Sequence, residues 1–167
     1  MPLMNEYFAN MGDVYRILAE LPSDADQQAT ADGREKTSEA SRARLARMLG
    51  LDARDAPKEA WAEVALAFRE AQLRAIHDAA MLVLSRQLLP RDAPVIGAGI
   101  GVKIASVLAA RLQRPFIAFS RILVTASPSL RRLACDCAPA AAVALLNEAG
   151  DLKAGRRGVR RRRSSKP

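Results

Sequence analysis

The most constraining stretch runs from Pro94 to Phe119, Pro-Val-Ile-Gly-Ala-Gly-Ile-Gly-Val-Lys-Ile-Ala-Ser-Val-Leu-Ala-Ala-Arg-Leu-Gln-Arg-Pro-Phe-Ile-Ala-Phe. Val95-Ile96 is a short apolar run of strand type. It passes through Gly97, Gly99 and Gly101 into apolar positions at helical spacing, and a second apolar run follows Pro115. The pattern predicts strand, glycine loop, helix, strand. Glycines at such a junction permit positive φ and let a ligand approach the main chain. The start of the next helix then favours an anion through its free N–H groups and its dipole. Gly97, Gly99 and Gly101 are therefore candidate phosphate- or nucleotide-binding positions, against the alternative of a tight turn with no ligand.

The spacing excludes two common loops. Gly-x-Gly-x-Gly is not the dinucleotide fingerprint, whose third glycine comes one residue later, and no Gly-Lys-Ser/Thr follows as in a Walker loop. Ser120 also stands where an NAD fold places an acid.

With 167 residues, half of them apolar, the chain is long enough to fill one core, and its low aromatic content (4%) with abundant Ala favours close helix packing. The net charge of +8 is localised: eight of the 26 Lys and Arg lie from Lys153 onward, which leaves 18 basic against 18 acidic residues elsewhere. Residues 1–152 are expected to form the folded domain and residues 153–167 a disordered basic tail that attracts nucleic acid only non-specifically, through charge. No run is long enough for a membrane helix and the N-terminus has no secretory pattern, so a cytoplasmic protein without a membrane partner is expected. Cys135 and Cys137, one residue apart, fit neither a zinc pair nor a disulfide framework and read as two buried reduced thiols; no metal ligands are assigned.

Helices are predicted over Leu3 to Leu21 with Gly12 weakening its middle, over Glu39 to Leu49 behind a Thr37 or Ser38 cap, and over Lys58 to Leu89 behind Pro57. Arg42, Arg44 and Arg47 on the second read best as a solvated face. Between the first two lies a polar, turn-rich loop from Pro22 to Lys36, expected to be exposed and either functional or mobile. Within it Asp32, Arg34 and Lys36 are candidate substrate-binding residues for an anion, beside the plainer reading of a solvated loop. The single histidine, His77, adjoins Asp78, but neighbours on a helix diverge, so it is a weak catalytic candidate. Ser127-Pro128 opens another helix, and Pro139 breaks it before a further Ala-Val-Leu helix.

Several segments together resemble a known family. Pro2-Leu-Met-Asn-Glu-Tyr-Phe-Ala-Asn-Met with Asp13-Val-Tyr-Arg16, Thr30-Ala-Asp-Gly-Arg34 with Lys36-Thr, the run Glu39 to Leu49, Ile76-His-Asp78, the loop Val95 to Gly101 and the run Cys137 to Leu145 are similar to the hydantoinase A/oxoprolinase-like proteins of tetrahydromethanopterin-linked one-carbon transfer. The resemblance implies a helix-rich α/β chain, the C-terminal lobe of an actin-like ATPase fold, with Gly97, Gly99 and Gly101 as its adenosine-side motif. A relative in methanogens is a methanofuran biosynthesis synthase that releases diphosphate. The implied function is a phosphate- or diphosphate-handling lobe in assembly of a methanofuran-like cofactor, as part of a transferase or of a hydantoinase-like hydrolase. ATP, or a diphosphate substrate with magnesium, is the implied ligand. The family's Asp-Gly-Gly-Thr-type phosphate loops do not occur in these residues. The lobe is accordingly expected to be incomplete without a separate N-terminal lobe or a homo-oligomeric partner. The alternatives are a non-catalytic truncated remnant or subunit and, last, a nucleic-acid-binding protein built on the basic tail.

Overall fold

Asn10 starts the first helix. In the computed structural model, which describes residues 8–86, 89–125 and 127–147, its side chain accepts from the N–H of Asp13 while the Asp13 carboxylate accepts from the N–H of Asn10. This reciprocal box satisfies two backbone donors that a helix start otherwise leaves open. It fixes α1 at Met11–Ile17, shorter than the stretch to Leu21 that periodicity suggests. The helix ends because Ala19 turns into the left-handed region at φ 53°. The expected start at Leu3 lies outside the described residues.

Thr37 caps α2 (Ser38–Met48) by accepting from the N–H of Ala40, and Gly50 follows the helix at φ 72°. A single 3-10 turn (Ala53–Asp55) then leads to α3 (Lys58–Arg86). Trp61, in its first turn, is buried and donates from Nε1 to the carbonyls of Ala53 and Ala56, so the ring fastens the connection onto the helix. Val14, Leu45 and Ala65 form the core where α1, α2 and α3 meet, with Met11, Ile17, Leu18, Val64 and Phe68 packed round it. Ala46 and Ala65 are wholly buried, and their small side chains let the helices come close.

The strand, loop, helix and strand follow as predicted: β1 (Val95–Gly97), α4 (Val102–Arg111) and β2 (Phe116–Ala118). The strands form a two-stranded parallel sheet, so the chain is helix-rich α/β. Gln113 at φ 53° ends α4, with the Gln113 and Arg114 N–H groups bonded to the carbonyls of Ala110 and Ala109. Another 3-10 turn (Phe119–Arg121) precedes α5 (Pro128–Asp136), which Ser127 caps through the N–H of Leu130. Residues 138–147 are helical again, so the interruption falls at Cys137, ahead of Pro139, where a proline is tolerated in a new first turn.

The described residues fall into two compact units: those of 1–95 with 103–116, and those of 96–102 with 117–167. Among the described residues no helix is long and apolar enough to cross a membrane. The basic tail, residues 153–167, lies outside the described residues.

Candidate functional site

The glycine loop belongs to the second unit. Gly97 closes β1 and is buried, Gly99 takes φ 69°, and Gly101 stands at the entry to α4. The left-handed turn at Gly99 accompanies a hydrogen bond from its N–H to the carbonyl of Cys135, 2.9 Å away on α5. A Cβ there would meet only the Asp136 carbonyl, at 3.8 Å, so glycine is favoured at this position by backbone conformation rather than by space.

Beside the loop opens a cleft of about 330 Å³. Gly97, Gly99 and Val102 form one wall, Phe119 and Ser120 contribute from the 3-10 turn, and Arg131, Arg132, Cys135 and Asp136 line it from α5. Arg132 Nε lies 3.8 Å from Asp136 Oδ2, one helical turn on. Arg131 is exposed and has no ion pair with any described carboxylate. The site thus combines the beginning of a helix, a glycine turn and a guanidinium, which suits an anionic group. Sequence reasoning found the glycines and missed Arg131 and Arg132; the signal was two adjacent arginines just after a Ser-Pro helix start.

The other candidates lie in the first unit, where Arg47 on α2 is exposed as expected but Arg44 requires a correction. Arg44 is only 1% exposed, not solvated. Its Nε and Nη2 donate to Asp13 Oδ1 at 2.9 and 2.7 Å, and its Nη1 donates to Asp32 Oδ1 at 3.0 Å. Ser41, also buried, donates its hydroxyl to the same Asp13 oxygen at 2.8 Å. Arg16 adds bonds to Asp13, Ser41 and Asp26. Burial opposes the charge of Arg44, but the Asp13 and Asp32 carboxylates hold its pKa above the ordinary arginine value.

That network also tethers the polar loop. Asp32 and Asp26 fasten it to α2 and α1, and Lys36 Nζ donates to the Asp26 carbonyl at 2.7 Å. Asp32 is engaged again within the loop, accepting from the N–H of Arg34 at 3.1 Å, while the Arg34 side chain remains exposed with Nε 3.9 Å from Asp32 Oδ2. Asp32, Arg34 and Lys36 are therefore close in the structure, but Asp32 and Lys36 serve to hold the loop. Desolvation works against the ionised form at Asp26 and Asp32. At Asp26 it is outweighed by Arg16, the Gln28 N–H and Lys36, and at Asp32 by the Arg34 N–H and Arg44, so both carboxyls lie below their usual range.

His77, on α3, approaches its neighbour after all: Nδ1 is 3.5 Å from Asp78 Oδ1. The Asp78 side chain is 80% exposed, so the contact lies in solvent. The cysteines correct another expectation, since Cys135 is half-buried and Cys137 exposed, both free. Cys137 ends α5 as its C-cap. Among the described residues no group of three or more His, Cys, Asp or Glu is placed to hold a metal ion. No family model matches the chain, and no curated protein is similar to it.

Proposed function

We propose that the protein binds the phosphate or diphosphate end of a small molecule in the cleft of its second unit, and that it does so as the C-terminal lobe of an actin-like, hydantoinase A/oxoprolinase-like enzyme of cytoplasmic one-carbon cofactor assembly. The observation that carries the binding reading is the pairing of the glycine turn at Gly99 with Arg131 on a single cleft. The cofactor class rests on the resemblance of the sequence. A diphosphate would lie at the entry to α4, with Arg131 neutralising part of its charge. ATP, or a methanofuran-type diphosphate precursor, would place its organic part against Phe119 and Pro128. Asp136 is the carboxylate that a magnesium ion accompanying the phosphates would meet on this wall.

Calorimetric titration with pyrophosphate, ATP and adenosine tests the reading. Pyrophosphate and ATP should bind, adenosine should not, and Arg131→Gln should weaken both anions by about tenfold, the usual scale for one charge-assisted hydrogen bond. Equal binding of adenosine, or an unchanged affinity in Arg131→Gln, would exclude it.

A second reading, a subunit that works only with a separate N-terminal lobe, is favoured by the exposed apolar side chains of the second unit. Val124 is 87% exposed, and Ile96, Ile100, Ile122, Leu130 and Leu133 are each exposed by half or more. Such a surface usually faces a partner. In that case pyrophosphate affinity should rise when a lobe bearing the missing phosphate loops is supplied in trans.

A further inference from the structure

α3 buries Trp61, Ala65 and Leu73, but none of its residues beyond Leu73 is buried, and this part presents a long outward face. Ala71, Ala75, Asp78, Ala79, Leu82, Ser85 and Arg86 are all exposed, and a turn of 100° per residue gathers them into one band. Leu82 at the middle of that band is 53% exposed, and Met81 and Val83 beside it are 50% and 51% exposed. Met81 and Val83 lie about 100° to either side of Leu82, so the exposed apolar surface continues past both edges of the band.

The charges say what fits it. Asp78 precedes Leu82 by four residues and Arg86 follows by four, so the two lie about 12 Å apart along the axis, too far to pair within one helix. His77 Nδ1 lies 3.5 Å from Asp78 Oδ1 but leaves that side chain 80% exposed, and Arg86 has no ion pair with any described carboxylate. A matching surface must carry a cation opposite Asp78, an apolar centre opposite Leu82, and an anion opposite Arg86. This face, read in the reverse direction, is that surface. We propose that it binds a second copy of the chain, α3 against α3, antiparallel about a two-fold axis at Leu82. Asp78 of each copy then stands level with Arg86 of the other, Leu82 meets Leu82, and Ala79 meets Ser85. The small side chains allow close approach of the helix axes. A parallel pairing would set Asp78 against Asp78 and Arg86 against Arg86, so the charges also select the orientation. The contact is isologous and closes on itself as a dimer. It uses one helix face over about three turns, against the roughly 20–30 residues a side of stable complexes, so the dimer is reversible.

The test is sedimentation velocity of the full chain over a range of concentrations at about 0.15 M salt, where charges on the tails are screened beyond about 8 Å. The wild type should pass from monomer to dimer with rising concentration and form nothing larger. Asp78→Arg and Arg86→Asp should each weaken the dimer by about tenfold, since each sets like charges opposite one another twice. The double exchange Asp78→Arg/Arg86→Asp should restore it, and Leu82→Glu should abolish it. Because these positions are exposed, circular dichroism should show each variant folded. A chain that stays monomeric throughout, or a dimer indifferent to both single reversals, would overturn the proposal.

Discussion

Asp13 Oδ1 accepts from both Nε and Nη2 of Arg44, although the two residues are 31 positions apart and neither is more than 3% exposed. The other oxygen of Asp13 accepts from the N–H of Asn10, so one carboxylate serves as the cap of α1 and as the counter-ion of α2. Ser41 and Arg16 fill the remaining positions, and no buried side-chain polar atom among the described residues lacks a partner. The helices of the first unit are thereby set in register by charge as well as by the Val14, Leu45 and Ala65 core.

Removing either member of this pair should be costly, and removing both should cost less than the two losses added together. Arg44→Met leaves the buried Asp13 with Arg16 as its remaining cation, and a broken buried pair costs about 3–5 kcal/mol. Asp13→Leu leaves the buried Arg44 guanidinium with Asp32 as its remaining carboxylate. Asp13→Leu/Arg44→Met removes both charges, and urea unfolding should place its loss below the sum of the single replacements by at least about 1 kcal/mol.

The tethers of the loop should weaken in acid. Asp26 and Asp32 have folded pKa values lowered from an ordinary 3.8, so their contribution is fully present above that unfolded value and is lost as pH falls through the lower folded values. Hydrogen exchange in residues 22–36 should therefore accelerate as pH drops below about 4, after correction for the intrinsic rate. Asp26→Asn and Asp32→Asn should each reduce that pH dependence. An identical pH profile in both variants would show that other carboxyls govern the loop.

Much of the local structure was legible because local chemistry decides it. Pro57 before α3, Ser127-Pro128 before α5 and the apolar runs on either side of the glycine loop each act within a few residues. The burial of Arg44 was not legible from spacing, because its partner lies on another helix, and a polar loop with four acids reads as solvated until the arginines facing it are known. One signal did exist. Arg44 shares the inward face of α2 with Ser41, Leu45 and Met48, and Asp13 adjoins the apolar Val14 of α1, so opposite charges occupied the inner faces of consecutive helices. In the candidate cleft the glycines were visible in advance, whereas Arg131 became meaningful only once α5 was seen to supply the Cys135 carbonyl to Gly99.

Thr37 gives a smaller and more local prediction. Its side chain accepts from the N–H of Ala40 at 3.1 Å, so Thr37→Ala leaves the first turn of α2 one acceptor short and should cost about 1 kcal/mol. Thr37→Ser retains the oxygen and should be nearly neutral. A loss in both variants alike would place the stabilisation in the threonine methyl group rather than in the cap.

Gly99 and Gly101 separate the conformational part of the glycine loop from its spatial part. Gly99 holds φ 69° with only the Asp136 carbonyl near its missing Cβ, so Gly99→Ala should cost about 1–2 kcal/mol through the left-handed backbone alone. Gly101 has open space where a Cβ would go, and Gly101→Ala should leave stability within about 0.5 kcal/mol or raise it slightly. Exchange of the Gly99 N–H, bonded to Cys135, reports the difference directly: it should accelerate in Gly99→Ala and stay unchanged in Gly101→Ala. If Gly101→Ala then binds pyrophosphate like the wild type while Gly99→Ala binds it less, the left-handed turn matters to the anion. If both bind alike, Arg131 and the helix start hold the anion without help from that turn.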